Sequence, residues 1–203
     1  MAQEIEIKLA LPVRLAPRLR QLPQLAGATS QRRCLRNLYL DTPEQDLRRQ
    51  RMALRRRQID DRWLLTLKTE GETRAAGFSR RQEWEYPMPP DALDFAAVDD
   101  RDLRQQLQTL APRLQPAFRT DFIRQCWHLR YGASHIELAL DLGRIYAQKH
   151  RQAIREVELE LLDGREVDLR ALADALKNSL PELNPCAPSK AARGYALLDA
   201  ITL

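Results

Sequence analysis

The chain has 203 residues, of which 44% are hydrophobic and 30% are charged. That length is typical of one large domain, and the apolar content is too high for a disordered chain. The 33 basic residues outnumber the 28 acidic ones, so the net charge is +5, which favours an anionic partner. Charge alone does not distinguish nucleic acid, phosphorylated metabolites and anionic membranes.

The cysteines and the amino terminus bear on the cellular compartment. Cys34, Cys126 and Cys186 are odd in number and far apart in sequence, so they predict neither a disulfide framework nor a zinc site. A reducing compartment, the cytoplasm, is therefore the expected location. The chain starts without the basic and apolar segments of a signal peptide, and no apolar run approaches the ~18 residues of a membrane span. We expect no membrane partner.

Extended and helical patterns alternate along the first quarter of the chain. Residues 4–11 begin with alternating charged and apolar side chains, the period-2 signal of a strand. Residues 13–25 carry Leu at helical spacing, with an interruption near Pro23, and predict a helix of two or three turns. A second strand is predicted over 33–41 and a short helix over 43–50, with Thr42 as its capping residue.

The rest of the chain is predicted to form short strands joined by turns, with three further helices. The predicted strands cover residues 52–58, 63–69, 79–87, 117–131, 135–142 and 154–162. The predicted helices cover residues 99–111, 167–180 and 189–201, the last with Ser189 as a cap. Loops are predicted over residues 70–78, 87–94 and 181–188.

The strand count and the connections predict the fold class. About eight strands joined mostly by tight turns form a mainly antiparallel sheet. Because its two faces alternate in character, such a sheet can close into a barrel. We therefore expect an α+β fold, in which a closed antiparallel β-barrel of about eight strands forms a tunnel with peripheral helices. Residues 1–203 are expected to form that one domain.

One face of nearly every predicted strand is charged. For any single strand, an ordinary solvated face is the simplest explanation. Several such strands together argue against it, because like charges on one face or on neighbouring strands repel unless ions bind between them. The polar faces carry Glu4, Glu6 and Lys8; Arg55 and Arg57; Thr66 and Lys68; Arg81, Glu83 and Glu85; Glu137 and Asp141; and Glu156, Glu158 and Glu160.

The types of charged residue indicate the ligands. Clusters of Glu without His or Cys provide hard oxygen donors, which suit Mg²⁺, Mn²⁺ or Ca²⁺ rather than zinc. Clusters of Arg and Lys suit phosphate, because a guanidinium offers a planar fork and an ammonium offers a point charge. A site that contains both sets has the residues of metal-assisted phosphoryl transfer.

Short motifs in these strands resemble a known family. Residues 4–8 (Glu-Ile-Glu-Ile-Lys) match the Glu-x-Glu-x-Lys signature that opens CYTH, or triphosphate tunnel, domains. Further matches follow in the family's order over essentially the whole chain, and residues 189–195 resemble its bacterial inorganic triphosphatase branch. The other matching segments are Tyr39-Leu40-Asp41-Thr42-Pro43, Ala53-Leu54-Arg55-Arg56-Arg57, Thr66-Leu67-Lys68, Glu83-Trp84-Glu85, 136–141 and 156–160.

The resemblance implies a role for each matching residue. Phosphate oxygens would be held by Lys8, Arg55, Arg57, Lys68, Arg124, Lys190 and Arg193. Mg²⁺, or Mn²⁺ in its place, would be held by Glu4, Glu6, and Glu158 or Glu160. The catalytic set would comprise Glu4, Glu6, Lys8, Glu83, Glu85 and Asp141, of which the last three would bind or orient a second metal or the attacking water.

The implied activity is metal-dependent hydrolysis of inorganic triphosphate to pyrophosphate and phosphate. Thiamine triphosphatase and class IV adenylate cyclase share this tunnel and stay open as alternatives, as does a non-catalytic module that binds polyphosphate or nucleotides. The complete set of Glu argues against the last, because a pure anion binder gains nothing from so many carboxylates. The expected partner is an inorganic or organic triphosphate, and nucleic acid is not expected.

Two features separate this chain from parts of the family. Members of the inorganic triphosphatase branch often continue into a helical CHAD domain, which is absent here, so we expect a piece of a longer protein or a stand-alone member. Some family members place a Lys two residues before the Arg of the sixth strand, where this chain has Phe122 before Arg124. The number of cations on that wall is therefore left open.

Overall fold

The computed structural model of the protein describes residues 2–186 and 188–202, which form ten strands and five α-helices. Among the helices of these residues, none is long and apolar enough to cross a membrane. The strands are β1 (Ala2–Ala10), β2 (Ser30–Asp41), β3 (Ala53–Ile59), β4 (Arg62–Lys68), β5 (Glu72–Thr73), β6 (Phe78–Pro87), β7 (Gln115–Tyr131), β8 (Ser134–Ala147), β9 (His150–Asp163) and β10 (Asn184–Pro185). The helices are α1 (Ala16–Leu19), α2 (Asp46–Arg49), α3 (Arg101–Leu110), α4 (Glu166–Ser179) and α5 (Lys190–Thr202).

Eight of the strands close into an antiparallel barrel. Neighbouring strands follow the order β1-β9-β8-β7-β2-β3-β4-β6, and β6 pairs with β1 to complete the ring. The two-residue strands β10 and β5 pair with β1 and β6. The predicted fold class, a closed barrel of about eight antiparallel strands with peripheral helices, is confirmed.

The largest hydrophobic core lies outside the barrel, between its wall and α4. This helix presents Leu169, Leu172 and Leu176 at helical spacing, and all three are fully buried. They pack in one cluster with apolar residues of β1, β8 and β9, including Ile7 and Leu138. Because apolar and polar positions alternate along these strands, this core directs the charged side chains toward the barrel interior.

A second outer core covers β3, β4 and β6. Helix α3 buries Leu107 in a cluster that includes Trp84 of β6. Asp100 caps this helix, since its carboxylate accepts a hydrogen bond of 3.0 Å from the N–H of Leu103. With their outer faces covered, these three strands also turn their charged faces inward.

Helix α5 closes one end of the barrel interior. The predicted cap is confirmed, because the Ser189 hydroxyl accepts a hydrogen bond of 3.1 Å from the N–H of Ala192. Tyr195 packs edge-on against Phe118 on the inward face of β7, with 5.0 Å between the ring centroids. Gly194 permits this close approach, because a Cβ at that position would lie 2.1 Å from the Phe118 ring.

The helix predicted over residues 13–25 is wrong in its length. That segment contains the four-residue α1 between two short 3₁₀ turns. Leu22 is extended (φ −63°, ψ 141°) before Pro23. A residue that precedes proline is biased toward extended conformations, and proline itself lacks the N–H that would continue the helix.

The helix predicted over residues 43–50 is also shorter and is capped differently. It begins at Asp46, after Gln45 in a left-handed conformation (φ 58°). Thr42 stays in the preceding turn, where its hydroxyl accepts a hydrogen bond of 3.0 Å from the N–H of Asp46. The carboxylate of Asp41 provides the rest of the cap, accepting hydrogen bonds of 2.9 and 3.1 Å from two further main-chain N–H groups of α2.

Two of the predicted loops contain short strands. The loop over residues 70–78 includes β5, and the loop over residues 181–188 includes β10. Strand β10 pairs with β1, and β5 pairs with β6. A strand of two residues is too short to show an alternating pattern in the sequence.

Candidate active site

A cavity of about 490 Å³ occupies the barrel interior. Its walls come from seven of the barrel strands and from the start of α5. Most of the residues predicted for the site meet there, although no two of their motifs are adjacent in sequence. The predicted residues that line the cavity are Glu4, Glu6, Lys8, Arg55, Arg57, Lys68, Glu83, Glu85, Arg124, Glu158, Glu160 and Lys190.

Two predicted site residues lie behind the cavity wall. Asp141 is fully buried, and it accepts hydrogen bonds of 2.8 and 2.7 Å from Arg124 and of 2.6 Å from Lys190. Arg193 donates a hydrogen bond of 2.6 Å to the equally buried Glu156. Neither side chain lines the cavity, so the predicted contacts of Asp141 with the attacking water and of Arg193 with phosphate do not fit these positions. Both side chains instead neutralise and hold other residues of the wall.

A buried ion cluster forms the wall between β8, β9 and α5. Carboxylate oxygens of Asp141, Glu156 and Glu158 lie within 4.8 Å of one another, close enough to share a metal ion. The ammonium of Lys190 lies 2.6, 2.5 and 2.9 Å from the three carboxylates. Burial would lower the pKa of Lys190, but the three carboxylates raise it above its ordinary value, so this lysine stays charged. The cluster therefore already holds one cation.

Phe122 takes part in the same wall. Its ring centroid lies 4.9 Å from the ammonium of Lys190 and 5.8 Å from the guanidinium of Arg124. A ring face attracts cations at such distances. At position 122 this chain thus has an aromatic face in contact with two existing cations.

The start of β1 places two carboxylates on the cavity wall. Glu4 and Glu6 are 7% and 4% exposed. Lys68 donates a hydrogen bond of 2.6 Å to Glu4, and Lys8 donates one of 3.2 Å to Glu6. Arg81 lies opposite Glu4 in the β1–β6 pair and is ion-paired with both carboxylates. The two negative charges therefore sit among three basic side chains.

The carboxyl groups of the cavity differ in pKa because their surroundings differ. Burial would raise the pKa of Glu6, but nearby cations, Lys8 foremost, lower it to about 2. Burial raises the pKa of Glu4, and Lys68 offsets this only in part. Burial and the nearby Glu4 raise the pKa of Glu160 to about 8. At neutral pH Glu6 is ionised, whereas Glu160 is mostly protonated.

Two arginines of β3 form a cationic wall. Arg57 donates hydrogen bonds of 2.9 Å to Asn37 and of 3.0 Å to Glu85. Arg55 donates one of 3.3 Å to the hydroxyl of Tyr39. Asn37 and Tyr39 orient the guanidinium groups without cancelling their charge, whereas Glu85, 3.0 Å from Arg57 and 3.9 Å from Arg55, neutralises part of it. Both arginines line the cavity, where an anion can reach them.

The register of β3 and β4 agrees with the sequence pattern. Arg57 and Lys68 line the cavity from adjacent strands, as predicted. Arg56 lies on the opposite face of β3, where its Nη2 is 3.4 Å from the carbonyl oxygen of Ala92. A shift of one residue in register would exchange Arg56 and Arg57.

Sequence reasoning left several side chains out of the site, among them Arg81, Asn37 and Glu156. Arg81 lines the cavity, Asn37 orients Arg57, and Glu156 completes the cluster around Lys190. Two of them carried a signal, because Arg81 and Glu156 lie on the charged faces of their strands. For Asn37 the only signal was its position in the alternating pattern of the strand predicted over 33–41.

The Glu4 and Glu6 carboxylates fit a hard divalent cation. Oε2 of Glu4 is buried and accepts no hydrogen bond, although Nε of Arg81 lies 3.2 Å from it. Such an oxygen is unfavourable unless a cation or another donor reaches it. In the described part of the chain, no His or Cys lines the cavity. Carboxylates alone suit Mg²⁺ or Mn²⁺.

Sequence comparison finds relatives over nearly the whole chain. A sequence model of the CYTH domain matches residues 2–195. Over 198 residues the chain is 37% identical to a Haemophilus influenzae protein named inorganic triphosphatase. The match covers 97% of this chain but only 55% of that relative, so this chain spans about half of the relative's length.

Solved structures share the barrel at low sequence identity. A putative adenylyl cyclase from Hippeastrum, described as having a dominant triphosphatase activity, aligns with a TM-score of 0.66 and 21% identity over 95% of both chains. A putative adenylate cyclase from Bacillus halodurans aligns with a TM-score of 0.60 and 18% identity over 95% of this chain and 98% of its own. A Pyrococcus horikoshii protein aligns with a TM-score of 0.57 and 16% identity over 98% and 99%. These likenesses establish the fold.

Proposed function

The chain belongs to the CYTH domain family, and on that premise we propose that its barrel hydrolyses inorganic triphosphate to pyrophosphate and phosphate. The observation that carries the proposal is the cavity itself, in which basic and acidic side chains face one another inside a closed barrel. A linear polyanion needs cations along its length, and its hydrolysis needs carboxylates to hold a metal and to orient water. The H. influenzae relative named inorganic triphosphatase supports the choice of substrate.

Cations of the cavity bind the phosphate chain. Arg55 and Arg57 face the cavity from β3, and Lys8 and Lys68 face it from β1 and β4. Because these groups are shielded from water, their charge-assisted hydrogen bonds to phosphate are strengthened. On binding, phosphate oxygens replace some of the ion pairs that these cations make within the protein.

The other predicted phosphate ligands contribute differently. Arg124 and Lys190 line the cavity, but buried carboxylates hold both of them. We assign them mainly the neutralisation of Asp141 and Glu158, with contact to phosphate oxygens at the wall. Arg193, behind the wall, has no such contact and supports Glu156.

Glu4 and Glu6 would hold Mg²⁺, or Mn²⁺ in its place, with a third carboxylate from β9. When bound, such an ion would supply positive charge to the phosphate oxygens. Glu6 is ionised at neutral pH, because its pKa is about 2. Glu158 is also ionised: burial would raise its pKa, but Lys190 and other cations hold it well below the ordinary range. Glu160 would first have to lose a proton, so Glu158 is the better third ligand.

Carboxylates of β6 orient the attacking water. Glu85 accepts hydrogen bonds from Thr66 at 2.7 Å and Arg57 at 3.0 Å, and both bonds go to Oε2, which leaves Oε1 for water. Burial would raise the pKa of Glu85, but Arg57 and Arg55 lower it, so the carboxylate is ionised. Glu83, 3.3 Å from Lys68, lies beside it on the cavity wall. Water attacks the terminal phosphorus in line, and the basic residues stabilise the leaving pyrophosphate.

The test is hydrolysis of tripolyphosphate with all products resolved by ion chromatography. With Mg²⁺ or Mn²⁺ we expect equal amounts of pyrophosphate and phosphate, and EDTA should abolish the reaction. At limiting Mg²⁺, Glu6→Gln should lose nearly all activity, because Gln keeps the shape but not the charge that a hard cation needs. Glu44→Gln is the matched control, since Glu44 is exposed and pairs with Arg113 at the surface.

Two results would contradict the proposal. The first is the absence of tripolyphosphate hydrolysis with either metal, while ATP or thiamine triphosphate is cleaved or cyclised instead. The second is full activity of Glu6→Gln at limiting Mg²⁺, which would remove the metal from the Glu4 and Glu6 carboxylates.

A further inference from the structure

Arg81 contacts both carboxylates that the proposed function assigns to the metal ion. It lies opposite Glu4 in the β1–β6 pair, so its side chain enters the cavity beside them. Its Nη2 is ion-paired with Oε1 of Glu6, and its Nε lies 3.2 Å from Oε2 of Glu4. The Arg81 side chain is 17% exposed, so little water screens these contacts. We refer to the two carboxylates as the Glu4–Glu6 pair.

Arg81 differs from the other cations around the Glu4–Glu6 pair. Lys8 and Lys68 each have a further carboxylate partner outside the pair, at 3.5 and 3.3 Å respectively. Within the described residues, the ion pairs of Arg81 are with Glu4 and Glu6 alone. A divalent ion that takes the pair would therefore leave Arg81, and not either lysine, without an acidic partner.

The fit between Arg81 and the Glu4–Glu6 pair is incomplete. Nε of Arg81 and Oε2 of Glu4 are both buried and lie 3.2 Å apart, yet neither makes a hydrogen bond. The guanidinium thus neutralises charge without satisfying every polar atom of the pair. Because charge-assisted hydrogen bonds depend on alignment, a misaligned contact is weaker than an aligned one. Because of this geometry, a divalent cation can displace Arg81 from the Glu4–Glu6 pair.

We propose that Arg81 competes with the divalent cation for the Glu4–Glu6 pair. Arg81 occupies the pair in the empty tunnel and leaves it when a phosphate chain enters. A guanidinium and a divalent ion on the same carboxylates repel each other strongly in a poorly solvated site. Phosphate oxygens give Arg81 new acceptors, and its departure frees the pair for the metal. Metal and triphosphate therefore strengthen each other's binding by the same factor. The inference rests on the proposed metal-dependent function and adds to it a coupling between the two ligands.

The test measures Mn²⁺ binding to the substrate-free protein, by electron paramagnetic resonance of the unbound ion. Arg81→Met is compared with the wild type and with Arg80→Met, a matched control because Arg80 lies on the other face of β6 and pairs with Glu166. Since one charge-assisted contact competes with the ion, we expect Arg81→Met to bind Mn²⁺ about 10- to 100-fold more tightly than the wild type. Arg80→Met should match the wild type. Adding Glu6→Gln to Arg81→Met should remove the gain and so locate the ion.

Equal or weaker Mn²⁺ binding by Arg81→Met overturns the inference, and so does a gain that survives Glu6→Gln. The measurement needs no turnover, so its failure is distinguishable from failure of the proposed function, which the wild-type hydrolysis assay detects. If Arg81→Met does not fold without metal, Arg81→Gln and the metal dependence of Tm give the same comparison. Mn²⁺ should then raise the Tm of the neutral variant more than that of the wild type, and equal shifts contradict the inference.

Discussion

The hydroxyl of Tyr195 donates a hydrogen bond of 2.6 Å to Oδ2 of Asp41, across 154 positions of sequence. Asp41 ends β2, and its carboxylate also accepts hydrogen bonds from the main chain of α2. A single buried carboxylate therefore fastens two helices, α2 and α5, to the barrel. Because Lys190 is the first residue of α5, this contact helps to hold its ammonium among the carboxylates of the cavity wall.

Tyr195→Phe should lower the free energy of unfolding by about 1.5–3 kcal/mol, because it removes a buried hydrogen bond to a charged group. Denaturant titration measures the change. Tyr146→Phe is the control: its ring lies 4.6 Å from the Arg119 guanidinium, and its hydroxyl makes no hydrogen bond within the described residues. That variant should stay within about 0.5 kcal/mol of the wild type. Equal effects of the two substitutions would contradict a role for the Asp41 contact.

Arg57→Ala should lower kcat/KM for tripolyphosphate about 10- to 150-fold, since one charge-assisted contact contributes about 1.5–3 kcal/mol. The loss should include kcat, because this cation stabilises charge that builds on the leaving pyrophosphate. Arg56→Ala should be nearly silent, because Arg56 lies on the outer face of β3 near the carbonyl of Ala92. Both are assayed at saturating Mg²⁺ after a check of folding. Damage from Arg56→Ala without damage from Arg57→Ala would show that the site is built on the wrong strand register.

Lys190→Met should destabilise the fold by about 3–5 kcal/mol, because it leaves three buried carboxylates without their central cation. Their oxygens lie within 4.8 Å of one another, so added Mn²⁺ should raise the Tm of this variant more than that of the wild type. Lys177→Met is the control, since Lys177 forms a surface pair of 2.7 Å with Asp174. If Lys190→Met and Lys177→Met are equally mild, the cluster does not depend on the lysine.

The metal-free protein should lose stability as pH rises from about 4.5 to about 8, and Glu160 should be a main cause. Burial and Glu4 raise the folded pKa of Glu160 from 4.5 to about 8, so over this range the native state keeps a proton that the unfolded chain releases. Unfolding is then favoured as pH rises. Between these pH values, Glu160→Gln should reduce the loss of unfolding free energy by about 2–4 kcal/mol. The measurement is the unfolding free energy of both proteins in EDTA across this pH range. If the free energy of the variant falls with pH as steeply as that of the wild type, Glu160 is not the cause.

Much of the barrel and of its lining was predictable from local pattern. The alternation in residues 4–9 and 154–162 places Glu on one face of a strand whatever its neighbours are. Arg57 was likewise predictable as inward-facing and Arg56 as outward-facing. The short helices were not, because proline and a left-handed residue interrupt patterns that hydrophobic spacing alone continues.

The sequence by itself determined which side chains share a strand face, and hence which charged side chains enter the barrel. Only the tertiary structure decided which of those charges meet. Lys190 reaches Asp141 across 49 positions, and Arg81 reaches Glu6 across 75, through strand register, barrel closure and the docking of α5. The side of the sheet that a side chain occupies follows from alternation along its own strand, which is a local property of the sequence. Ion pairing depends instead on distances between strands and on burial from water. For that reason Asp141 was predicted at the cavity but lies behind it, and Arg81 was left out of a site in which it contacts two central carboxylates.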